Sequence, residues 1–368
     1  MPKSQTRKII FIHLLNDFSG SPKVLSQVIK VAQSSGIEIE LYTGNKSIGF
    51  LSNLTENHHF VGYKRFENKY LTLFSFVFSQ VILFFKLLKY WRKDVDIYAN
   101  TMLPFGAGIA GWIMKKRVIY HIHETYIKPK ILKIALRKII QLTTTELIFV
   151  SKSLKSLEGF KGIKENIIYN SLPIKFQEEG KVHVYKSTKV EKFNVLMISS
   201  MKAYKGIFEL IEIARKTENN PNIDFTLVLN ASQVELKHFF KTTKLPSNLV
   251  LEHQQSDVIP FYKKASLVLN LSHVDDCIET FGLTILEALS FGVPVIVPPV
   301  GGPSEIVNEG KEGFLISSYD TNKIAKKIIE LSTDTQACME LSQNAKERAL
   351  DFSENKFNKE ISNVITPK

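Results

Sequence analysis

Short runs of apolar residues alternate with longer segments of helical periodicity along almost the whole chain. Ile9-Ile-Phe-Ile and Val293-Pro-Val-Ile-Val are two of these runs, and both are rich in β-branched residues. Strands buried on both faces of a parallel sheet have this composition, and the helical segments between them can supply the crossover connections. The sequence therefore predicts an α/β fold built on doubly wound parallel sheets. Its 368 residues are enough for two domains.

The predicted elements form two successive groups. The first group has strands near 8–14, 38–43, 95–99, 117–122, 146–150 and 166–169, with helices near 22–35, 70–91, 104–115, 130–143 and 151–158. The second has strands near 194–199, 224–229, 249–252, 267–271 and 293–297, with helices beginning near 206, 258 and 281. The segment 175–192 is polar and charged without a hydrophobic period, which predicts a linker. Two facing units of this kind would bind a ligand beyond the carboxyl ends of their strands.

The net charge of +12 is unevenly distributed. Residues 1–183 contain 27 Lys and Arg against 13 Asp and Glu, whereas residues 184–368 contain 21 against 23. Many of the basic residues of the first half fall in Lys86–Lys93, Lys115–Arg117 and 128–138. Because no recognised nucleic-acid motif accompanies them, contact with an anionic lipid surface is the better interpretation. A solvated basic face beside a buried apolar helix explains the same pattern equally well.

The cysteine content and the apolar segments bear on location. Cys277 and Cys338 are the two cysteines, too few for a disulfide framework, which indicates a reducing, cytoplasmic setting. The N-terminal apolar run is too short for a signal peptide and is predicted to be the first strand. The uncharged run 70–85 would span about 24 Å as a helix, short of the roughly 30 Å hydrocarbon core. It is predicted to be a buried or interfacial helix rather than a membrane span.

Two glutamates flank a predicted helix start in Glu279-Thr-Phe-Gly-Leu-Thr-Ile-Leu-Glu287. Thr280 is a suitable N-cap, so the helix is expected to begin just after Glu279. Amides at a helix N-terminus bind phosphate groups, and carboxylates about 10 Å apart on either side can accept hydrogen bonds from sugar hydroxyls. This order of groups matches a nucleotide diphosphate sugar. From the residues alone, a capping Glu279 and a solvated Glu287 are an equally open alternative.

The same segment resembles the E-x7-E signature of family 4 retaining glycosyltransferases, of the bacterial surface-polysaccharide type. Other segments resemble family motifs in the same order: Phe18-Ser-Gly20, Tyr120-His-Ile-His123-Glu, Met201-Lys-Ala-Tyr-Lys205-Gly206, Gly301-Gly-Pro-Ser-Glu305 and Asn308-Glu-Gly-Lys-Glu-Gly. The resemblance covers nearly the whole chain. A lone E-x7-E is weak, but these motifs together are specific.

The resemblance implies a fold and an activity. The fold would be GT-B, with two facing Rossmann-like domains around a central cleft. Residues 1–183 would form the acceptor-side domain, 184–350 the nucleotide-sugar domain, and 351–368 a helix that returns to the first domain. The activity would be that of a hexosyltransferase-type glycosyltransferase of class EC 2.4. It would move a sugar, with retention of configuration, from a nucleotide-diphosphate-sugar donor to a hydroxyl of a glycan or polyprenyl-diphosphate-linked acceptor.

The resemblance also implies roles for individual residues. Glu279 would hold the donor-sugar hydroxyls and Glu287 the ribose, while the amides of Phe281, Gly282 and Leu283 bind the diphosphate. Lys205 would stabilise the leaving nucleotide, so no metal and no cofactor are expected. Gly20 and His123 would line the site from the first domain. Ser200 stands where the family usually has a phosphate-binding arginine, so either Lys202, two positions on, substitutes as the cation or the Ser200 hydroxyl makes that phosphate contact.

Three alternatives remain at this point. Gly106-Ala-Gly-Ile-Ala-Gly111 is a literal G-x-G-x-x-G of the NAD- or FAD-binding type, but Pro104 predicts that these glycines fall inside a helix. A metal site at His121 and His123 would need a third ligand that the spacing does not supply. A catalytically silent GT-B subunit is the third, because Ser200 departs from the family pattern. The favoured prediction is a cytoplasmic glycosyltransferase of surface-polysaccharide synthesis, peripheral at the inner face of the plasma membrane.

Overall fold

The computed structural model describes residues 7–186 and 192–366. Two compact units account for them: one comprises the described residues up to Tyr169 together with those from Asn355 onward, and the other is Asn170–Glu354. The sequence predicts the boundary at 183/184 instead. The first six residues and residues 187–191, which are near the end of the predicted linker 175–192, lie outside the described residues.

The first unit contains a seven-stranded parallel sheet in the order β3-β2-β1-β4-β5-β6-β7. Its strands are β1 (Lys8–His13), β2 (Glu38–Thr43), β3 (His58–Phe60), β4 (Val95–Asn100), β5 (Val118–Ile122), β6 (Glu146–Phe149) and β7 (Lys164–Ile167). Its helices are α1 (Gly20–Ser34), α2 (Lys69–Leu87), α3 (Phe105–Ile113), α4 (Lys130–Thr143) and α5 (Lys152–Glu158), joined by the C-terminal helix α14 (Glu354–Ile365). The strand order reverses between β1 and β4, which makes their carboxyl ends the ligand-binding position of such a sheet.

The second unit contains a six-stranded parallel sheet in the order β10-β9-β8-β11-β12-β13. Its strands are β8 (Phe193–Ser199), β9 (Ile223–Leu229), β10 (Leu249–Glu252), β11 (Leu267–Leu269), β12 (Val295–Val297) and β13 (Gly313–Leu315). Its helices are α6 (Ile174–Val182), α7 (Ile207–Lys216), α8 (Gln233–Phe239), α9 (Ile259–Lys264), α10 (Leu283–Ser290), α11 (Pro303–Ile306), α12 (Thr321–Thr333) and α13 (Thr335–Ala349). Here the strand order reverses between β8 and β11. The predicted α/β class with two Rossmann-like units is confirmed.

The predicted linker is wrong in its first half, where the chain forms helix α6. Phe176 of this helix is buried against Tyr262 and Phe291, with ring centroids 6.0 and 5.2 Å away. Gly180 lies where a Cβ would collide with the backbone of Ser290. The helix therefore packs into the second unit, which is why the division between units falls before it. A nine-residue helix with two anchoring positions lacks a hydrophobic period that sequence inspection can detect.

The G-x-G-x-x-G segment lies inside α3, as Pro104 predicts. A Cβ at Gly106 would collide with the backbone of Gln80 on α2, and one at Gly111 would collide with Val118 of β5. These glycines therefore let α3 approach α2 and the sheet closely. The turn that follows β4 contains none of them, so the arrangement of a dinucleotide-binding loop is absent from this segment.

Helix α14 belongs to the first unit although it follows the second in sequence. Phe357, Ile361 and Ile365 are buried on its inner side. The guanidinium of Arg117 donates a 2.7 Å hydrogen bond to the carbonyl of Val364 and pairs with Glu146. Because Arg117 immediately precedes β5, this helix is attached to the start of the central strands.

The segment Lys69–Tyr90, which is α2 and the 3₁₀ turn after it, is long and apolar enough to cross a membrane by length and composition. Only about a quarter of its most apolar part is buried within the chain. Gln80 on its inner side accepts a 3.2 Å hydrogen bond from the amide of Gly106, and Phe76 contacts Phe105. One side of this helix is thus packed against α3, and the other is exposed.

Candidate functional site

Lys205 and Glu279 form an ion pair at the point where the strand order of the second unit reverses. Lys205 follows β8 and Glu279 follows β11, and these strands are neighbours in the sheet. The Lys205 Nζ lies 2.6 Å from the Glu279 Oε2, which also accepts a 3.3 Å hydrogen bond from the Ser272 hydroxyl. About a fifth of each side chain in the pair is exposed. The sequence predicts that both residues bind the donor, but it does not predict their pairing.

The pairing keeps both groups charged despite their burial. Burial disfavours the carboxylate of Glu279, but the Lys205 ammonium and the hydrogen bonds it accepts outweigh this, so its pKa lies below the ordinary value. Burial likewise opposes the charge of Lys205, and the attraction of Glu279 raises its pKa nonetheless. A carboxylate and an ammonium held at the end of a parallel sheet can bind hydroxyl and phosphate groups, respectively.

Gly301 and Gly302 hold the Glu279 loop in place. The amide of Gly302 donates a 2.9 Å hydrogen bond to the carbonyl of Glu279. Gly301 has a φ of 77°, and a Cβ on Gly302 would collide with the backbone of Phe281. The glycine pair is therefore required by backbone conformation at one position and by close approach at the other.

Helix α10 begins later than the sequence predicts. Its N-cap is Gly282, with a φ of 100°, and its first residue is Leu283, so the predicted N-cap at Thr280 is wrong. The left-handed conformation at Gly282, which glycine tolerates, redirects the chain into the helix and places the helix start two residues later than predicted. Phe281 is fully buried before this turn. The free amides at this helix start follow the Glu279 loop directly, the order that the sequence analysis expects.

Glu287 lies on the buried side of α10, contrary to a solvated helix position. It is only 5% exposed, and its Oε2 accepts a 2.6 Å hydrogen bond from the hydroxyl of Tyr262 on α9. The tyrosine orients this carboxylate. Sequence inspection misses Tyr262 because its partner is 25 positions away, although its place in a helix between two strands makes it a plausible core aromatic.

Ser200 and Lys202 lie between β8 and Lys205. The amide of Lys202 donates a 2.8 Å hydrogen bond to the carbonyl of Ser200, and the Lys202 side chain is exposed. Gly206 follows Lys205 with a φ of 81°, and a Cβ there would collide with Leu271. The lysine-glycine motif therefore occupies a tight turn after β8. Only glycine fits at position 206 of this turn, because of its positive φ and the close approach of Leu271.

A buried polar cluster occupies the corresponding position in the first unit. His13 ends β1 and Asn100 ends β4, the two strands between which the order reverses. The His13 Nδ1 lies 3.1 Å from the carbonyl of Asn100, and the Asn100 Oδ1 lies 2.9 Å from the His123 Nε2. Sequence inspection misses His13 and Asn100, although each closes a buried apolar run. Thr101, next in the chain, has a φ of 78°, a strained conformation for a β-branched residue.

Burial shifts the pKa values of the titratable groups in this cluster toward their neutral forms. Burial lowers the pKa of His13 to about 4 and that of His123 well below its ordinary value. Burial raises the pKa of Glu124 to about 7, even though the amides of Met102 and His123 donate to its carboxyl group. The rings of His121 and His123 are tilted by 42° with their centroids 4.2 Å apart, and the His121 Nδ1 lies 2.9 Å from the Tyr98 hydroxyl. His123 itself lies just beyond β5, not within it.

Gly20 is the first residue of α1, in the loop after β1. It is exposed, and Ser19 before it is held by a 2.9 Å hydrogen bond from its amide to Asp17. The loop lies at the same end of the sheet as His13 and Asn100, because it follows β1 directly. The predicted first-domain residues Gly20 and His123 therefore share one edge of their sheet.

Several of the basic residues predicted at 115–117 and 128–138 form ion pairs within the first unit. Arg117 pairs with Asp96 and Glu146, while Lys133 and Arg137 both pair with Glu158. Their charges are balanced inside the unit, so the interpretation of all these residues as one cationic surface is wrong. Among the residues that the structure describes, no group of three or more His, Cys, Asp and Glu side chains could hold a metal ion.

Residues 182–348 match the family model described as Glycosyl transferases group 1. The trehalose synthase of Pyrococcus horikoshii is 32% identical over 171 residues, which are 43% of this chain and 40% of that protein. The N-acetyl-alpha-D-glucosaminyl L-malate synthase of Bacillus anthracis is 26% identical over 218 residues, 59% of this chain and 53% of that protein. The chain thus spans about half or less of the length of these relatives. The group 1 match lies within the second unit and supports a relationship to glycosyltransferases for that part of the chain.

Similarity to solved structures extends over nearly the whole chain. The structure of HepE from Anabaena in complex with UDP and glucose aligns with a TM-score of 0.78 at 20% identity, covering 98% of this chain and all of that one. A sucrose-phosphate synthase from Thermosynechococcus elongatus aligns with a TM-score of 0.76 at 15% identity, covering 98% of each chain. At these identities the likeness concerns the fold, and the predicted GT-B class is confirmed. The E-x7-E assignment and the surface-polysaccharide type stay predictions.

Proposed function

We propose that this protein is a hexosyltransferase-type glycosyltransferase of class EC 2.4 that uses a nucleotide-diphosphate-sugar donor. The observation that carries the proposal is the partly buried Lys205–Glu279 pair at the strand reversal of the second unit. The group 1 match over residues 182–348 contains this pair and supports the same activity. HepE was solved in complex with UDP-glucose, which makes a uridine diphosphate sugar the first donor to test.

In this proposal the second unit binds the donor. Glu279 accepts hydrogen bonds from the sugar hydroxyls, and the amides of Phe281, Gly282 and Leu283 bind the diphosphate. Lys205 contacts the same diphosphate, with Ser200 and Lys202 as further phosphate contacts. Glu287, already oriented by Tyr262, accepts hydrogen bonds from the ribose hydroxyls. The positive groups are supplied by the chain itself, so the reaction needs no metal and no cofactor.

The transfer is a retaining substitution. The acceptor oxygen forms a bond to the anomeric carbon as the bond from that carbon to the diphosphate breaks. The nucleotide diphosphate leaves with the electron pair and takes up the acceptor proton. Lys205 stabilises the negative charge that develops on it, an effect of about 100- to 1,000-fold for a single well-placed group. His123, held neutral and oriented by Asn100, supports the reaction as a polar positioning residue of the acceptor-side unit.

The proposed acceptor is a hydroxyl of a glycan or of a polyprenyl-diphosphate-linked precursor in cell-surface polysaccharide synthesis. The basic balance of residues 1–183 supports an anionic acceptor or membrane surface for the first unit. The site of action would then be the cytoplasm, at the inner face of the plasma membrane. Ser200, which replaces an expected arginine, favours one second candidate: a catalytically silent subunit that retains donor binding.

Donor binding and turnover test the proposal separately. Thermal-shift measurements against nucleotide diphosphates and their sugars should identify a ligand that raises the unfolding temperature. With that donor, we expect Lys205→Met and Glu279→Gln each to lower transfer at least about 100-fold. The Lys216–Glu212 pair on α7 is exposed, so Lys216→Met and Glu212→Gln serve as matched controls with unchanged transfer.

Three outcomes distinguish the candidates. Unchanged transfer by both Lys205→Met and Glu279→Gln contradicts the proposed site. Donor binding without hydrolysis or transfer favours the silent subunit. Proton NMR of the product identifies the anomeric configuration, and inversion contradicts the retaining mechanism.

A further inference from the structure

Helices α2, α3 and α4 form one continuous layer on the first unit. Helix α3 packs against α2 on one side and α4 on the other. The buried residues of each helix face the sheet or a neighbouring helix, so exposed side chains lie on the outer side of the layer. We refer to this outer side as the α2–α3–α4 face. Its most exposed large apolar side chains are Tyr70, Phe74, Phe78, Phe85, Trp112, Ile131, Ile134 and Leu142.

The apolar content of this face is high for a surface. Phe74 is 69% exposed and stacks on Phe78, with ring centroids 6.2 Å apart. Trp112 on α3 is 59% exposed, and Ile131 at the start of α4 is 79% exposed. Exposed apolar patches that extend over several elements mark interaction surfaces, because isolated exposed apolar residues are ordinary but contiguous ones are not.

The charge of the three helices has a single sign. Helices α2, α3 and α4 contain no Asp and no Glu. Lys133 and Arg137 share the single carboxylate of Glu158, whereas Lys69, Lys130 and Lys138 are exposed and form no ion pair among the described contacts. A groove of about 440 Å³ beside α4 is lined by Ile134, Arg137, Lys138, Gln141, Leu142 and Phe160. Apolar side chains interspersed with unopposed cations complement the interfacial region of an anionic bilayer.

The geometry points to the α2–α3–α4 face as a docking surface for an anionic lipid bilayer, with the three helices lying in the plane of the interface. Packing of Phe76 and Gln80 against α3 opposes insertion of α2 as a membrane span. A symmetric contact with a second copy would bring the same cations together, since both partners in such a dimer use the same surface. The inference rests on the proposed function in one respect: docking would bring the enzyme to a lipid-linked acceptor.

The two tryptophans of the chain allow a direct test, because Trp112 lies on this face and Trp91 follows α2. The full chain is mixed with phosphatidylglycerol-containing vesicles, without any sugar nucleotide. We expect it to float with these vesicles and its tryptophan emission to shift to shorter wavelength. In Trp91→Phe, brominated phospholipid should quench the remaining Trp112. Vesicles of phosphatidylcholine alone should bind at least tenfold less protein.

Variants identify the surface. Phe74→Glu combined with Phe78→Glu should lower vesicle binding at least tenfold. Ile48→Glu combined with Leu157→Glu is the matched control, because both residues are exposed and apolar in the same unit but lie outside the face. Thermal unfolding of each variant without ligand, with a single transition like that of the wild type, shows that the variants are folded. Absence of wild-type binding overturns the inference, as does equal binding by the two double variants or a dimer that buries Trp112. None of these results bears on donor binding, so the proposed function is judged separately.

Discussion

Lys205 and Glu279 illustrate what a residue pattern can and cannot predict. Their prediction as a site for phosphate and hydroxyl groups depends on the resemblance to a known family, because the residue types alone leave a purely structural role equally open. Their 2.6 Å contact depends on β8 and β11 being neighbours, which is a property of the strand order and not of either motif. The same holds for Asn100 and His123, which meet because β4 and β5 pair. The sequence therefore did not predict either contact, and it did not indicate Asn100 at all.

Glu124 should give the folding stability a measurable pH dependence. Its pKa is raised by burial to about 7 in the folded protein, against an ordinary value near 4.5. Between these values the folded chain holds a proton that the unfolded chain has lost. The free energy of unfolding should therefore fall as pH rises through this window, by at most about 1.4 kcal/mol per pH unit.

Comparison with Glu124→Gln isolates this contribution, because His13 and His123 change stability in the opposite direction as pH falls below about 6.5. Urea unfolding of both proteins at a series of pH values gives the difference in free energy of unfolding. We expect wild type to lose stability relative to the variant from about pH 4.5 to pH 7, and the difference to be constant above. A constant difference across the whole range contradicts the raised pKa.

At the scale of elements, the alternation predicted most strands, including the three-residue β11 and β12, but it missed the long helices α12 and α13. Strands such as β1, β2 and β8 match their predicted positions within one residue. The strands β3 and β13 were also missed, because each is stabilised by pairing with a neighbouring strand, β2 or β12, rather than by a local pattern. Helix α10 was predicted, but its first residue depends on the left-handed backbone of Gly282.

Gly302 should be intolerant of even one added methyl group. A Cβ there would collide with the backbone of Phe281, so Gly302→Ala has to displace the loop that contains Glu279. We expect donor affinity to fall at least tenfold, measured by titration calorimetry. Gly310 has a positive φ but open space around it, so Gly310→Ala should cost about 1 kcal/mol of stability without changing donor affinity. Equal donor affinities in the two variants would show that the contact does not position the loop.

At the scale of the whole molecule, both units have the same arrangement, a parallel sheet with one reversal of strand order. In each unit the candidate residues follow the strands between which the sheet order reverses: β1 and β4 in the first, β8 and β11 in the second. The surplus positive charge belongs to the first unit, where part of it is neutralised internally and part lies on the α2–α3–α4 face. The alternation of strands and helices sufficed to predict two such sheets. The position of the unit boundary was not predictable, because α6 is held by contacts with distant residues.

Helix α14 should stabilise the first unit selectively, although it follows the second in the chain. Ile361 is fully buried there, and Arg117 attaches the helix to the start of the central strands. Ile361→Ala should lower the stability of the first unit by about 3 kcal/mol, because it removes buried methyl groups and leaves a cavity. Asn363→Ala, at an exposed position of the same helix, is the control. Hydrogen exchange should quicken in β4, β5 and β6 of the Ile361 variant and stay unchanged in β8 to β13. Faster exchange in both sheets alike would mean that the two units unfold together, whereas no change in either would mean that α14 contributes little to the first.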